Sequence, residues 1–138
     1  MAADMPSQFT TTVRIYYEDT DAGGIVYYAN YLKFFERART EWLRALGIHQ
    51  QRLLEEEGAA FVVRSASVDY LAAARLDDEL SLRLQVGKLG RASVQFDQQA
   101  WRGDTLLVTA NVKVGCVDAA SMRPRAVPDF AAAKMRAA

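Results

Sequence analysis

The 138-residue sequence has one cysteine, one histidine, three prolines and no net charge. Each shortage closes off a class of protein. Cys116 alone cannot form an internal disulfide, and with His49 as its only imidazole companion it cannot complete an ordinary four-ligand zinc site. A reducing, cytoplasmic setting is expected, with no metal and no cofactor. The 17 basic side chains balance the 17 acidic ones, so no global field draws the chain onto nucleic acid or an anionic membrane. An anionic ligand must then be held by a local cluster. No window of about 18 uninterrupted apolar residues occurs, and Met1 to Gln8 lacks a basic start followed by an apolar run, so neither a transmembrane segment nor an export signal is expected. There is no internal repeat or linker, and residues 1–138 read as one domain.

What the sequence does have is pattern, in a composition that is 51% apolar. From Thr11 the residues alternate, with Thr11, Val13, Ile15 and Tyr17 on one side, as in a half-buried strand ending near Tyr17. Glu18 to Gly24 is acidic and glycine-terminated, which favours a loop. Then the period changes. Tyr31, Phe34, Phe35, Ala38, Trp42 and Ala45 recur at three- and four-residue spacing, marking a helix that Asn30 is placed to cap and Gly47 to end. A shorter helix is expected over His49 to Glu57, before Gly58. Alternation returns through Val62, Ala66, Val68 and Tyr70, with Arg64 the polar exception. It becomes strict in Leu80 to Val86, Val94 to Asp97 and Leu106 to Val114, joined by hairpin-length connections at Gly87 to Arg91 and Arg102 to Asp104. Asp129 to Arg136 suits a last helical turn or two. The order predicts an α+β fold, an antiparallel sheet packed on one long helix, with an exposed edge that a second copy would cover.

Few residues are left to carry chemistry. Gly23-Gly24 lacks the spacing and context of a phosphate-binding loop. His49 lies in a polar helical stretch that fits a solvated role, and Cys116 alternates within an apolar strand as a small core hydrophobe. Glu18-Asp19-Thr20-Asp21 remains, three carboxylates in four positions before Gly-Gly and Tyr27-Tyr28. Composition alone favours a solvated turn. A carboxylate beside aromatic surface and a helix N-terminus, however, has the parts that ester or thioester hydrolysis needs: a nucleophile or base, and amides to hold an oxyanion.

The run Tyr16-Tyr17-Glu18-Asp19-Thr20-Asp21-Ala22-Gly23-Gly24-Ile25-Val26-Tyr27-Tyr28-Ala29-Asn30-Tyr31, followed by Phe35-Glu36-Arg37-Ala38-Arg39-Thr40-Glu41, resembles the 4-hydroxybenzoyl-CoA thioesterase family. Within it the chain is similar to the Tol-Pal-associated, YbgC-type acyl-CoA thioesterases. Ala60 to Arg64, Ala74 to Asp78, Cys116 to Asp118 and Arg123 to Arg125 extend the likeness over nearly the whole length. The resemblance implies a hotdog fold, five antiparallel strands wrapped around the long helix, with active sites at a dimer interface. It implies Asp21 as the catalytic carboxylate, a carbonyl-polarising backbone amide at or near Tyr28, and a structural Asp19. Many YbgC-type members have histidine where this chain has Tyr28. The expected substrate is an acyl-CoA, its acyl group near Tyr27, Tyr28, Val62 and Val63, and its CoA phosphates near Arg91, Arg123 and Arg125. The expected assembly is a homodimer or homotetramer. The alternatives are a non-catalytic module that binds acyl-CoA or acyl carrier protein, and a scaffold beside envelope or phospholipid-synthesis proteins.

Overall fold

The structure is a computed structural model that describes residues 8–138. Five strands, β1 (Phe9–Arg14), β2 (Ala59–Tyr70), β3 (Glu79–Leu89), β4 (Ser93–Arg102) and β5 (Thr105–Asp118), form one sheet in the order β1-β3-β4-β5-β2. Every pairing is antiparallel. Three helices accompany them, α1 (Asn30–Ala45), α2 (Gln50–Glu57) and α3 (Asp129–Ala137). The sheet curves around α1 in the hotdog arrangement. No helix among the described residues is long and apolar enough to cross a membrane.

The strict alternation of β3, β4 and β5 puts Leu80, Leu82, Leu84, Val94, Phe96, Val112 and Val114 on the inner face, all buried. Helix α1 lays Tyr31, Phe34, Phe35, Ala38 and Trp42 on them, with Trp42 edge-to-face on Phe96 at 5.5 Å. Each large side chain so buried contributes about 1.5–3 kcal/mol of transfer free energy, which holds helix to sheet. The expected face is observed except at Ala45, which is exposed; Leu43 widens it as its spacing predicts, and Arg39 is buried as well. At its C-terminus Gly47 adopts φ +81°, and the N–H groups of Gly47 and Ile48 return to the carbonyls of Arg44 (2.9 Å) and Leu43 (2.8 Å). A left-handed residue with this pair of bonds stops a helix cleanly.

Two sequence expectations fail locally. The first strand ends at Arg14, not near Tyr17, and the Tyr17 side chain is 81% exposed. Beyond Arg14 the backbone of Ile15 bonds instead to Asp78 O (2.9 Å) and Asp77 N (3.0 Å), and Tyr17–Asp19 turns away as one 3₁₀ turn. The single period assigned to the strand after Gly58 is broken by a bulge between Val63 and Ser65. Arg64 is the extra residue, so the inward set is Phe61 and Val63 before it and Ala66, Val68 and Tyr70 after it, opposite Cys116, Val114, Val112, Ala110 and Val108. A polar exception in an alternating run was the visible sign.

Candidate active site

The acidic loop is braced before it reaches Asp21. The Asp19 carboxylate accepts the Tyr16 N–H at 2.8 Å, while its carbonyl accepts the Tyr27 N–H at 2.9 Å and the Asn30 side-chain amide at 2.8 Å. Asp19 therefore holds the loop's own shape. Asn30 ties the loop to α1 instead of capping the helix, and the residue preceding the helix is Ala29. The strand's early end leaves the Asp19 carbonyl free to take that amide.

Asp21 is differently placed. Its N–H goes to Ile25 O at 2.9 Å, its side chain is exposed, and its carboxylate accepts the Gly23 N–H at 2.9 Å. The two glycines act for different reasons. A β-carbon on Gly23 would stand 3.2 Å from Asp21 Oδ1 and crowd the carboxylate, whereas Gly24 sits at φ +80°, open to glycine without strain.

The loop returns against the segment before β3. Val26 N–H donates to Ala74 O at 2.9 Å, and Ile25 bridges Arg75. Asp78 clamps that segment, accepting from the Arg75 N–H at 2.9 Å and from Arg102 Nη1 at 3.0 Å. Desolvation opposes its charge, but these two donors outweigh it and hold the Asp78 carboxyl below the usual carboxylate range.

Beyond the loop lies an aromatic cluster. Tyr28 packs on Tyr27 at 5.0 Å and edge-on to Tyr70 at 5.9 Å, and Tyr31 meets Tyr70 at 5.8 Å. Tyr70 donates its hydroxyl to Tyr28 O at 3.1 Å; burial pushes its phenol up, so it stays a neutral donor. This bond turns the Tyr28 peptide at the entry to α1. The N–H groups of Tyr28 and Ala29 take part in no hydrogen bond among the described residues. Unspent amides at the positive end of a 16-residue helix suit an incoming carbonyl oxygen. Tyr27, Tyr28 and Tyr70 remain 46%, 61% and 44% exposed, an aromatic patch of the kind that marks a binding surface.

The other residues singled out in the sequence are dispersed. Val63 faces inward on β2 and lines a cavity, but Val62 pairs with Gly115 on the opposite face. Arg91, Arg123 and Arg125 gather at the far end of β5, where Asp118 N–H donates to Arg123 O and Arg125 N–H to Cys116 O. Arg125 spends its guanidinium on Glu57 O at 2.7 Å, at the C-terminus of α2. Arg91 is exposed and shares an open groove of about 470 Å³ with Arg136 of α3, a residue the sequence reading did not single out. Cys116 is buried, and burial pushes its thiol up; His49 is exposed.

An exposed carboxylate, free amides at a helix N-terminus and an aromatic surface thus follow one another along this stretch of chain, and the sequence around them matches known proteins. The family model described as "Thioesterase superfamily" matches residues 23–109. The protein named "Acyl-CoA thioesterase YbgC" of Haemophilus influenzae is 52% identical over 120 residues, 87% of this chain and 88% of that one. "Acyl-CoA thioester hydrolase YbgC" of Escherichia coli is 47% identical over 129 residues, 93% of this chain and 96% of that one. A solved structure described as a probable thioesterase from Bartonella henselae superposes with a TM-score of 0.85 at 34% identity, covering 88% of this chain and all of the other. The chain belongs to the thioesterase superfamily, as an acyl-CoA thioesterase of the YbgC type.

Proposed function

We propose that the chain hydrolyses acyl-CoA thioesters to free acid and CoA with Asp21 as the catalytic carboxylate. The reading is supported by two features of the segment that leads into α1, an exposed Asp21 carboxylate and the unspent amides of Tyr28 and Ala29. The amides hold the thioester carbonyl and the oxyanion that develops on it, each good donor lowering the barrier by roughly 2.7–4 kcal/mol. Asp21 then attacks the carbonyl carbon, expelling the CoA thiolate and leaving a mixed anhydride for water to cleave, or takes a proton from water as water attacks. Tyr28 supplies its amide here, so the site does not require an imidazole at that position.

The site is completed by a second copy. Strand β2 is a twelve-residue edge, and its side chains from Val63 to Ser67 are all exposed. An edge so long and so little protected invites pairing. Antiparallel pairing of β2 with itself about a two-fold axis joins the two sheets and keeps both α1 helices on one side. It also sets the Tyr70 end of one protomer beside the Phe61 end of the other. Arg91, Arg123 and Arg136 offer cationic contacts to the CoA phosphates, and the setting is the cytoplasm, where Cys116 stays reduced.

The test is thiol release across short, long and aromatic acyl-CoAs, with the mass in solution measured in parallel. Hydrolysis by a dimer or tetramer is expected. Binding of acyl-CoA without thiol release would leave a carrier or scaffold in its place. Single turnover in ¹⁸O-water tests the first route, since label in Asp21 requires the anhydride, whereas label only in the released acid is compatible with both.

A further inference from the structure

Helix α1 carries one charged side chain on its apolar face. Arg39 is 9% exposed, and it forms no ion pair among the described residues. Its Nη1 donates to Gln98 Oε1 at 3.0 Å, and Gln98, 1% exposed on β4, donates to Phe35 O at 3.0 Å. A guanidinium has five N–H donors, and this bond engages one of its nitrogens. A buried charge with donors to spare is costly unless something else takes them. Burial pulls this guanidinium down from its ordinary range, with Glu36 opposing.

Arg39 lines a cavity of about 190 Å³ between α1 and the inner faces of β2, β4 and β5. Most of its wall is apolar, including Phe61, Val63 and Phe96. The polar part is one string. Gln50 Nε2 donates to Thr40 Oγ1 at 3.1 Å, and Thr40 donates to Glu36 Oε2. An acceptor, Glu36, which is also exposed to solvent, and a donor, the buried Arg39, therefore line the same small space. A hydrocarbon end leaves both unused, and a carboxylate satisfies Arg39 but meets the Glu36 charge. A hydroxyl uses both, accepting from Arg39 and donating to Glu36.

Position links this cavity to the thioester. Within one protomer Asn30 and Arg39 lie about 14 Å apart along the helix axis. In the proposed dimer the antiparallel β2 pairing sets the cavity of one copy at the Asp21 end of the other. We infer that this cavity, supplied by the partner copy, holds the far end of the acyl group and that Arg39 with Glu36 selects acyl groups bearing a hydroxyl there. The inference rests on the thioesterase site proposed above.

Matched substrates test it, with a methyl in place of the hydroxyl: 6-hydroxyhexanoyl-CoA against heptanoyl-CoA, and 3-hydroxybutyryl-CoA against 3-methylbutyryl-CoA. The native enzyme should favour the hydroxyl member of at least one pair by about 10–100-fold in kcat/KM. Arg39→Met should erase that preference through KM of the hydroxyl member and leave its methyl partner within about threefold; Arg39→Lys should restore part of it. Equal kcat/KM within both pairs overturns the inference while leaving the thioesterase reading intact, and so does an equal loss of both members in Arg39→Met, the mark of a structural arginine. A preference for adipoyl-CoA over 6-hydroxyhexanoyl-CoA overturns the choice of a neutral end. If Arg39→Met does not fold by circular dichroism, Glu36→Met, which removes the acceptor, replaces it with the same expected loss of preference. Hydrolysis of no acyl-CoA at all would instead remove the thioesterase reading.

Discussion

The loop that leads into α1 and the middle of that helix hold polar groups under opposite conditions. In the loop the Asp21 carboxylate is exposed and lightly tethered, with free amides following it in the chain; nine residues into the helix, Arg39 is buried and held by Gln98. The first arrangement leaves a group free to react, while the second fixes a charge where only a ligand small enough to enter the cavity reaches it. In the proposed dimer, chemistry and selection would be separated along one helix, and the second copy would bring them together. Substitutions in the two regions should accordingly differ in kind, one in rate and the other in stability and preference.

The largest effect is expected at Asp21. Asp21→Asn keeps the Gly23 contact but loses the charge, and should slow hydrolysis about 10²–10⁴-fold with an unchanged melting temperature. Asp19→Asn should do the reverse, weakening the Tyr16 contact and lowering the melting temperature with a much smaller loss of rate. Equal activity in the two variants would dissolve the distinction between them.

In the other region, Gln98→Leu strips Arg39 of its acceptor and should destabilise the fold by about 1–3 kcal/mol in denaturant titrations. An unchanged midpoint would mean that Arg39 is satisfied without Gln98. Between the two regions lies the β2 edge. Ala66→Lys brings like charges together across the proposed two-fold and should weaken the dimer about tenfold by light scattering or sedimentation, with activity falling as monomer accumulates. An active monomer would show that one protomer contains the whole site.

The smallest effect concerns the clamp behind the acidic loop. The Asp78 carboxyl is held below its ordinary range, so its contribution is present above that range and is lost as pH falls through the depressed folded value. The stability gap between the native protein and Asp78→Asn should therefore be open at neutral pH and narrow as pH falls below the ordinary carboxyl value of 3.8. A gap that does not narrow at all as the protein is acidified through that range would place the clamp's strength elsewhere.

Periodicity determined most of this molecule in advance. The inward faces of β3, β4 and β5, the core stripe of α1 and its stop at Gly47 follow from spacing, because burying one face of a regular element is a local requirement written every second or every third and fourth residue. The acidic loop was legible as well, and the long motif around it is what singles out Asp21 for the proposed role. Arg39 had a signal, a charge inside an apolar stripe, but spacing alone does not say whether such a residue reaches solvent or is buried.

Tertiary structure decided what no local pattern contains. The early end of β1 depends on Asp77 and Asp78, more than sixty residues away, whose backbones take the hydrogen bonds of Ile15. The bulge at Arg64 depends on register with β5, and it puts Val63 and not Val62 on the face shared by Ala66 and Val68. Asn30 became a tether and not a cap because a carbonyl eleven residues earlier was left free for it. The cavity beside Arg39 exists only where α1 crosses three strands distant in sequence. Pattern records which face of an element is buried; which groups meet across that buried space is set by the packing of elements against one another.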